Sequence, residues 1–439
     1  MNFTIQRLDT QQADFESDFK ALLDWDNRAN PEIVQRVQQI VNAVREEGDN
    51  ALIRFTREFD KRDVGVASDL VITNEIMEAA WHRLATSDRE TLQTAANRIR
   101  TYHERQISQD SDYTDEFGNK LGNRTTPISR VGAYVPSGQA SYPSTVLMTL
   151  IPAKIAGVPE TIVAVPMPNG KVSDHILAAL YLVEPRYAFG IGGAQAIAAM
   201  AFGTDIVPKV DKIVGPGGDW VAVAKKLVFG PVGIESIAGP SEILIIADGS
   251  VDPSWTAWDL MSQAEHDASA QAILVSPSSQ YLADVGEQIE VNLTSSPRAD
   301  IIKRSLEKRG AFIRTRSLDE AVEISNRVAP EHLQLALTNP RKHLSNIKHA
   351  GAIFLGQFSA EALGDYVAGP SHVLPTFGTA RYASVLSVQD FTKRTSIIDI
   401  TESGADALGR IASQLAEVEG LHAHSEAARV RLRDYDSNR

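Results

Sequence analysis

The segment Tyr187-Ala-Phe-Gly-Ile-Gly-Gly-Ala-Gln-Ala-Ile-Ala-Ala-Met-Ala-Phe-Gly-Thr204 decides the fold class of this chain. It carries no charged residue, but it holds four glycines and a glutamine, and Arg186 and Asp205 bracket it. A membrane-spanning helix needs about 20 consecutive, predominantly apolar residues. The glycine cluster instead predicts a β-strand, a tight turn and a buried helix.

Units of the same kind lie on both sides of this segment. Helix-like segments separate short β-rich runs at 131–135, 161–165, 187–191 and 212–214 and, in a second series, at 242–247, 272–275, 310–314, 333–337 and 352–355. This alternation is typical of parallel sheets with helices on both faces. We therefore predict an α/β protein built from two tandem doubly wound, incomplete Rossmann-like domains with small helical N- and C-terminal extensions.

We expect the following domain boundaries. Residues 1–24 form an N-terminal extension, and residues 25–129 with 240–382 form a first α/β domain whose N-terminal part is helical. Residues 130–239 form the second α/β domain. Residues 383–439 form a C-terminal extension with too few apolar residues to fold alone, so we expect it to dock on a second subunit.

Composition excludes several classes of protein. The 439 residues carry 43 Lys and Arg against 56 Asp and Glu, a net charge of −13, so a nucleic-acid partner is not expected. There is no cysteine, which excludes disulfide scaffolds, cysteine zinc sites and thiol nucleophiles. The N-terminal segment is acidic and does not resemble a signal peptide. We expect a cytoplasmic protein without a membrane partner.

Two glycine-rich segments lie between a predicted strand and a predicted helix, where doubly wound sheets bind ligands. They are Gly190-Ile-Gly-Gly-Ala-Gln195 and Gly215-Pro-Gly-Gly-Asp219. Neither completes the G-x-G-x-x-G pattern of dinucleotide sites, because Gln195 and Trp220 occupy the final positions. By themselves these segments indicate tight turns as readily as phosphate binding.

Histidines and carboxylates cluster at four junctions and are candidates for metal binding or acid–base chemistry. The clusters are Ser262-Gln-Ala-Glu-His-Asp267, Pro330-Glu-His332, Gly364-Asp-Tyr366 with His372, and Glu419-Gly-Leu-His-Ala-His424. Positions 263 and 266 are one turn apart on a predicted helix and would face the same way. Imidazole and carboxylate ligands suit Zn²⁺ or Mn²⁺. An amide is a poor ligand, so residue type alone does not select Gln263.

Three hypotheses fit these residues. The first is a metal- and dinucleotide-dependent dehydrogenase. The second is a metal hydrolase in which Glu331 activates water without a cofactor. The third is a two-domain protein that binds a small molecule, although such proteins usually carry an export signal.

Together the motifs resemble those of the histidinol dehydrogenase family over essentially the whole chain. The segments that carry the resemblance are Gly132-Ala-Tyr-Val-Pro-Ser-Gly138, Pro143-Ser-Thr-Val-Leu-Met148, Gly192-Gly-Ala-Gln-Ala-Ile197, Val210-Asp-Lys-Ile-Val-Gly-Pro-Gly217, Ala238-Gly-Pro-Ser-Glu242, Ser262-Gln-Ala-Glu-His266, Ala329-Pro-Glu-His-Leu333, Gly364-Asp-Tyr366, His372-Val-Leu-Pro-Thr376 and Glu419-Gly-Leu-His-Ala-His424.

The resemblance implies oxidation of L-histidinol to L-histidine with two NAD⁺, through an aldehyde that stays bound. It implies one Zn²⁺ per subunit, held by Gln263, His266, Asp365 and His424, and the catalytic pair Glu331 and His332. Contacts with substrate are implied for Ser241, Gln263, His266, His332, Asp365, Glu419 and His424. Contacts with NAD are implied for Tyr134, Gln195 and Gly218, which would make 130–239 the NAD-binding domain.

The resemblance also implies a homodimer in which the C-terminal tail reaches the partner's site. Gly218 departs from the family pattern, because many members have Asn there in contact with NAD. Relatives on the same scaffold oxidise other polar alcohols such as sulfopropanediol. Glu419, which suits a substrate ammonium group, favours histidinol.

Overall fold

The computed structural model describes residues 4–24, 31–137, 141–237 and 239–434, so the motif residues Gly138 and Ala238 lie outside the described part. The strands are β1 (Gln6–Asp9), β2 (Ser111–Thr114), β3 (Lys120–Pro127), β4 (Arg130–Tyr134), β5 (Glu160–Ala164), β6 (Tyr187–Phe189), β7 (Lys212–Val214), β8 (Gly233–Ile234), β9 (Glu242–Ala247), β10 (Gln271–Ser276), β11 (Gly310–Arg314), β12 (His332–Ala336), β13 (Ala352–Leu355) and β14 (Thr392–Asp399).

The α-helices alternate with these strands through most of the chain. They are α1 (Phe15–Leu23), α2 (Pro31–Glu47), α3 (Asp49–Phe59), α4 (Asn74–Arg83), α5 (Thr86–His103), α6 (Pro143–Ile155), α7 (Asp174–Val183), α8 (Gly193–Phe202), α9 (Asp219–Val228), α10 (Pro253–Ala264), α11 (Ser279–Leu293), α12 (Ala299–Arg309), α13 (Leu318–Val328), α14 (Glu361–Tyr366), α15 (Glu402–Val418) and α16 (His422–Arg429). None of the helices in the described ranges combines the length and apolar character needed to cross a membrane.

The chain divides into two compact units. The main unit comprises Met1–Gln106 and Ser129–Phe391, and the tail unit comprises Ile107–Ile128 and Thr392–Arg439. The main unit contains two fully parallel sheets, so the predicted α/β class with doubly wound parallel sheets is confirmed.

The first sheet of the main unit has six strands in the order β1-β11-β10-β9-β12-β13. Every residue of β9 and β10 is buried, which explains why these strands are almost continuously apolar in sequence. The strand order reverses between β9 and β12. The N-terminal strand β1 pairs with β11, from Gln6 opposite Ala311 to Asp9 opposite Arg314. The predicted extension at 1–24 is therefore in part an edge strand of this sheet.

The second sheet has five strands in the order β6-β5-β4-β7-β8 and reverses between β4 and β7. The segment at 187–204 forms β6, a glycine turn and the buried helix α8, as predicted. Ile197 and Met200 on α8 belong to one core with Val37 and Ile40 on α2. The helical N-terminal part of the chain therefore packs against this five-stranded sheet. It was instead predicted to belong with residues 240–382.

The tail unit contains a three-stranded antiparallel sheet in the order β14-β3-β2, followed by α15 and α16. Residues 107–128 were predicted to belong with 240–382, and residues 383–439 to be helical. Strand β14 pairs with β3 along its whole length, from Thr392 opposite Pro127 to Asp399 opposite Lys120. Neither strand has a buried face, so no alternating apolar pattern marks them in the sequence.

Candidate active site

The catalytic candidates of the main unit line a cavity of about 460 Å³. Its walls come from two sheets. The carboxyl edge of the five-stranded sheet contributes the turn at Pro216, Gly217 and Gly218, and the amino edge of the six-stranded sheet contributes Glu331 and His332. Doubly wound sheets usually bind ligands at carboxyl edges. Here Glu331 and His332 lie at the amino edge of their own sheet instead.

One peptide backbone holds both members of this pair. The Glu242 N–H donates to Glu331 Oε2 at 2.8 Å, and His332 Nδ1–H donates to the Glu242 carbonyl oxygen at 3.0 Å. These bonds are possible because β9 and β12 are neighbours in parallel register, with His332 opposite Ile243. The two side chains are 6% and 3% exposed, so their positions are fixed by packing as well as by hydrogen bonds.

The hydrogen bonds also decide which nitrogen of His332 is reactive. The shortest contact of Nδ1 is with the Glu242 carbonyl oxygen at 3.0 Å, and Glu361 Oε1 and Glu331 Oε2 lie 3.6 and 3.7 Å away. A proton on Nδ1 leaves Nε2 as the acceptor. Nε2 is buried without a hydrogen-bond partner among the described residues, because Asp365 Oδ1 is 3.6 Å away.

Burial sets the acid–base behaviour of this pair. It raises the pKa of Glu331 to about 7 and that of the neighbouring Glu242 to about 8. Burial by itself lowers the pKa of His332, but the carboxylates of Glu361 and Glu331 raise it well above its usual value. Glu331 can therefore exchange protons near neutral pH, and the neighbouring carboxylates make His332 a stronger proton acceptor than a free imidazole.

A second cluster lies in the same cavity. Ligand atoms of His266, Glu361 and Asp365 lie within 4.8 Å of one another. Burial lowers the pKa of His266, which favours the neutral imidazole that metal ligation requires. Gln263 lies in the last turn of α10 and is completely buried. His266 was predicted to lie on the same helix, but it comes after the helix ends at Ala264.

The amide of Gln263 is oriented by its neighbours. Its nitrogen donates to Glu361 Oε1 at 2.8 Å and to the Glu242 carbonyl oxygen at 3.2 Å, and it lies 3.2 Å from His332 Nδ1. This orientation leaves the amide oxygen as an acceptor. Sequence analysis missed Glu361, although its position four residues before Asp365 places both carboxylates on one face of α14. His372 holds the backbone of Asp365 in place, because its Nδ1–H donates to the Asp365 carbonyl oxygen at 2.9 Å.

The structure does not gather all predicted site residues into one unit. Ser241, Gln263, His266 and Asp365 line the same cavity as Glu331 and His332. Glu419 and His424 belong to the tail unit, where both side chains are exposed.

The three predicted NAD contacts line a second cavity of about 330 Å³. Tyr134 ends β4, and its hydroxyl oxygen accepts from the Gly193 N–H at 3.1 Å. Burial raises the pKa of Tyr134 to about 12, so it stays neutral. Gln195 Oε1 is buried, and no described residue bonds to it. A side chain at Gly218 would meet no atom within 4 Å, so its backbone is open toward a ligand.

A buried ion pair fixes the turn between the two cavities. Glu235 Oε1 accepts from the Gly215 N–H and from Lys225 Nζ, both at 2.7 Å, and Nζ also donates to the Gly215 carbonyl oxygen at 3.2 Å. Gly215 has φ +111°, and a Cβ there would lie 2.1 Å from the Tyr134 carbonyl oxygen. No sequence pattern pointed to Lys225 or Glu235, because what they hold in place is the backbone of Gly215.

A family model described as histidinol dehydrogenase matches residues 24–432. The chain belongs to the histidinol dehydrogenase family. It is 51% identical over 430 residues to the histidinol dehydrogenase of Pseudomonas fluorescens, covering 98% of each protein. It is 52% identical over 431 residues to that of Methylococcus capsulatus, covering 98% of this chain and 99% of the relative.

The fold agrees with a solved member of the histidinol dehydrogenase family. The crystal structure of histidinol dehydrogenase from Elizabethkingia anophelis superposes with a TM-score of 0.93 at 34% identity and covers 98% of each chain. Membership confirms the resemblance drawn from the motifs and the prediction of an oxidoreductase. The two other hypotheses, a metal hydrolase and a protein that only binds a small molecule, are therefore excluded.

Proposed function

We propose that this protein catalyses the zinc- and NAD-dependent four-electron oxidation of L-histidinol to L-histidine through bound histidinal, the last steps of histidine biosynthesis. The observation that carries the proposal is the pairing of Glu331 and His332 on the Glu242 backbone, beside the cluster of His266 and Asp365. The names of the relatives support histidinol as the substrate. The cytoplasm is the proposed compartment for a biosynthetic enzyme that draws on NAD⁺.

The donor set fits a zinc ion. His266 supplies a neutral imidazole, Asp365 a carboxylate, and Gln263 an amide oxygen that its nitrogen's hydrogen bonds leave as an acceptor. Glu361 Oε2 and His332 Nε2 are buried beside them without partners among the described residues, which indicates a site built for a bound group. Bound zinc would orient the substrate by contact with the substrate's imidazole. We assign the fourth protein ligand to His424.

The chain's own residues account for the proton transfers. Two NAD⁺, once bound, would each accept one hydride from the substrate carbon. In the first oxidation His332 Nε2 accepts the proton of the alcohol hydroxyl, which gives the aldehyde. In the second, Glu331 removes a proton from water as the water oxygen attacks the aldehyde carbon, and His332 returns its proton to the aldehyde oxygen. His332 then takes this proton back as the hydrate loses its hydride, so histidine is formed and His332 is the proton acceptor at the substrate oxygen in both steps.

We propose a homodimer in which the tail unit reaches the partner's site. Helix α15 exposes Ile411, Leu415 and Val418 by 58%, 60% and 81%, and their spacing places them on one face. A monomer rarely leaves such an apolar stripe in water. Glu419 follows this stripe directly and His424 lies on α16, so a partner that covers the stripe would be close to both.

Purified protein given L-histidinol and NAD⁺ is expected to form two NADH per histidine, which absorbance at the NADH band and amino-acid analysis measure together. The stoichiometry follows from the two hydride transfers. Sulfopropanediol serves as the comparison alcohol. NADH formation from sulfopropanediol and none from histidinol would assign the scaffold to the other alcohol.

Removal of zinc with a chelator is expected to abolish turnover, because the ion positions the substrate, and addition of Zn²⁺ is expected to restore it. The change His266→Ala is expected to lower the bound zinc measured by elemental analysis. His343→Ala is the matched control, since this buried histidine lies in the 3₁₀ helix Pro340–Asn346, outside the cavity. Full turnover by protein shown to be metal-free would refute the zinc site.

A further inference from the structure

We propose that Asp60 contacts the adenosine ribose of the dinucleotide and thereby selects NAD⁺ over NADP⁺. The inference rests on the proposed NAD-dependent function and assigns one carboxylate to one part of that cofactor.

The two cavities divide the dinucleotide between them. Hydride transfer requires the nicotinamide ring beside the substrate carbon, and His332 and Glu331 fix that position in the catalytic cavity. The second cavity adjoins the first at Gly218, which lines both. The pyrophosphate would therefore pass the glycine turn, and the adenosine half would occupy the cavity of Tyr134 and Gln195. Its 330 Å³ is within the range of small-ligand sites.

Two aromatic rings in this second cavity suit a purine. Phe59 is the last residue of α3 and Trp220 is the second residue of α9. Their ring centroids lie 6.3 Å apart at an interplanar angle of 51°. Both side chains remain 40% and 39% exposed, whereas most other large apolar side chains in this domain are buried. Ile40 and Val221 add apolar surface to the same wall. A flat aromatic base packs well against such rings.

Asp60 follows Phe59 directly and is held by its backbone. Its N–H donates to the Thr56 carbonyl oxygen at 3.0 Å, and its carbonyl oxygen accepts from the Asn169 N–H at 2.6 Å. The Met167 N–H donates to its carboxylate. Oδ2 is nevertheless buried with no partner in the described part of the chain, on a side chain that lines the cavity. A buried carboxylate oxygen left without a donor is a strong acceptor for a ligand.

The ribose of NAD⁺ offers two hydroxyl donors that such a carboxylate can accept. NADP⁺ carries a phosphate on the 2′-oxygen, which removes one donor and places negative charge beside Asp60. Arg62 carries a positive charge near Asp60. Arg62 donates from its guanidinium to the carbonyl oxygens of Gly190 and Asp69, so its hydrogen bonds are directed to the backbone.

The test compares Asp60→Asn with Asp63→Asn, which removes the same charge three residues away on an exposed side chain. Calorimetry measures binding of NAD⁺ and NADP⁺ to the zinc-loaded protein without substrate. Asp60→Asn is expected to lower the preference for NAD⁺ over NADP⁺ by about 10–100-fold, the worth of hydrogen bonds to a charged group. Asp63→Asn is expected to leave the ratio within about twofold of wild type, as typical of an exposed charge.

Turnover gives a second readout that misfolding does not imitate. In Asp60→Asn the KM for NAD⁺ is expected to rise while kcat at saturation stays near wild type, and Asp60→Ser should behave alike. If both Asp60 variants keep the wild-type ratio of NAD⁺ affinity to NADP⁺ affinity, the inference about Asp60 is overturned and the proposed function is not affected. Failure of the wild-type protein to bind either dinucleotide would overturn the proposed function with it.

Discussion

Replacing Glu331 by Gln is expected to slow the oxidation of histidinal about 10²–10⁴-fold and to slow the oxidation of histidinol much less, because water addition alone needs the carboxylate. Gln keeps the size of the side chain and an oxygen that can accept from the Glu242 N–H. It cannot remove a proton from water. Single-turnover NADH formation, with histidinal and histidinol supplied separately, measures the two steps.

The matched variant His332→Ala is expected to slow both steps, because Nε2 is the proton acceptor at the substrate oxygen in each. If Glu331 only orients His332, Glu331→Gln should reduce both steps equally. Equal losses from alcohol and aldehyde would therefore exclude water activation by Glu331.

The pH dependence offers a second signature of the same role. Burial raises the pKa of Glu331 to about 7, so the carboxylate is largely protonated below that pH and ionised above it. Because a base acts in its ionised form, kcat/KM for histidinal is expected to rise with pH through about 7. Glu331→Gln has no group to titrate there and should lose this rise. A profile unchanged by the substitution would assign the titration to another group.

The sequence predicted several strands of the parallel sheets well, and β9 and β11 among them are buried on nearly every residue. The predicted limits of β7, β9, β11 and β13 agree with the structure residue for residue. Runs of Val, Ile and Leu bounded by turn residues leave few alternatives for such strands. The strands β2, β3 and β14 have no buried face, and their pairing depends on contacts between residues far apart in sequence.

The candidate site shows the same division between local and distant information. Glu331 and His332 were recognisable because two titratable residues precede a strand. Their proximity to the turn at Gly217 could not be recognised, because the sequence does not show which edges of the two sheets face each other. Doubly wound sheets suggested carboxyl edges, but β9 and β12 present their amino ends. Glu361 was overlooked because its partner, Gln263, lies about a hundred positions earlier in the chain.

Mixing Glu331→Gln chains with His424→Ala chains is expected to restore histidine formation that neither variant supports alone. If the tail crosses to the partner, each site combines Glu331 of one chain with His424 of the other. Both homodimers then have two defective sites. A heterodimer gathers both lesions in one site and leaves the other intact, so an equal mixture regains about a quarter of the wild-type sites.

The control pair is Glu331→Gln with His266→Ala, because both residues line the catalytic cavity of the main unit. A heterodimer of these chains carries one lesion in each site, so no intact site forms and no recovery is expected. Subunit exchange is verified with chains of different tag. The second lesion lies in the tail unit in the first mixture and in the main unit in the control mixture. Recovery of activity in the first mixture alone would therefore require a site that the tail of the partner completes. Absence of recovery in the first mixture, with exchange demonstrated, would mean that one chain builds each site.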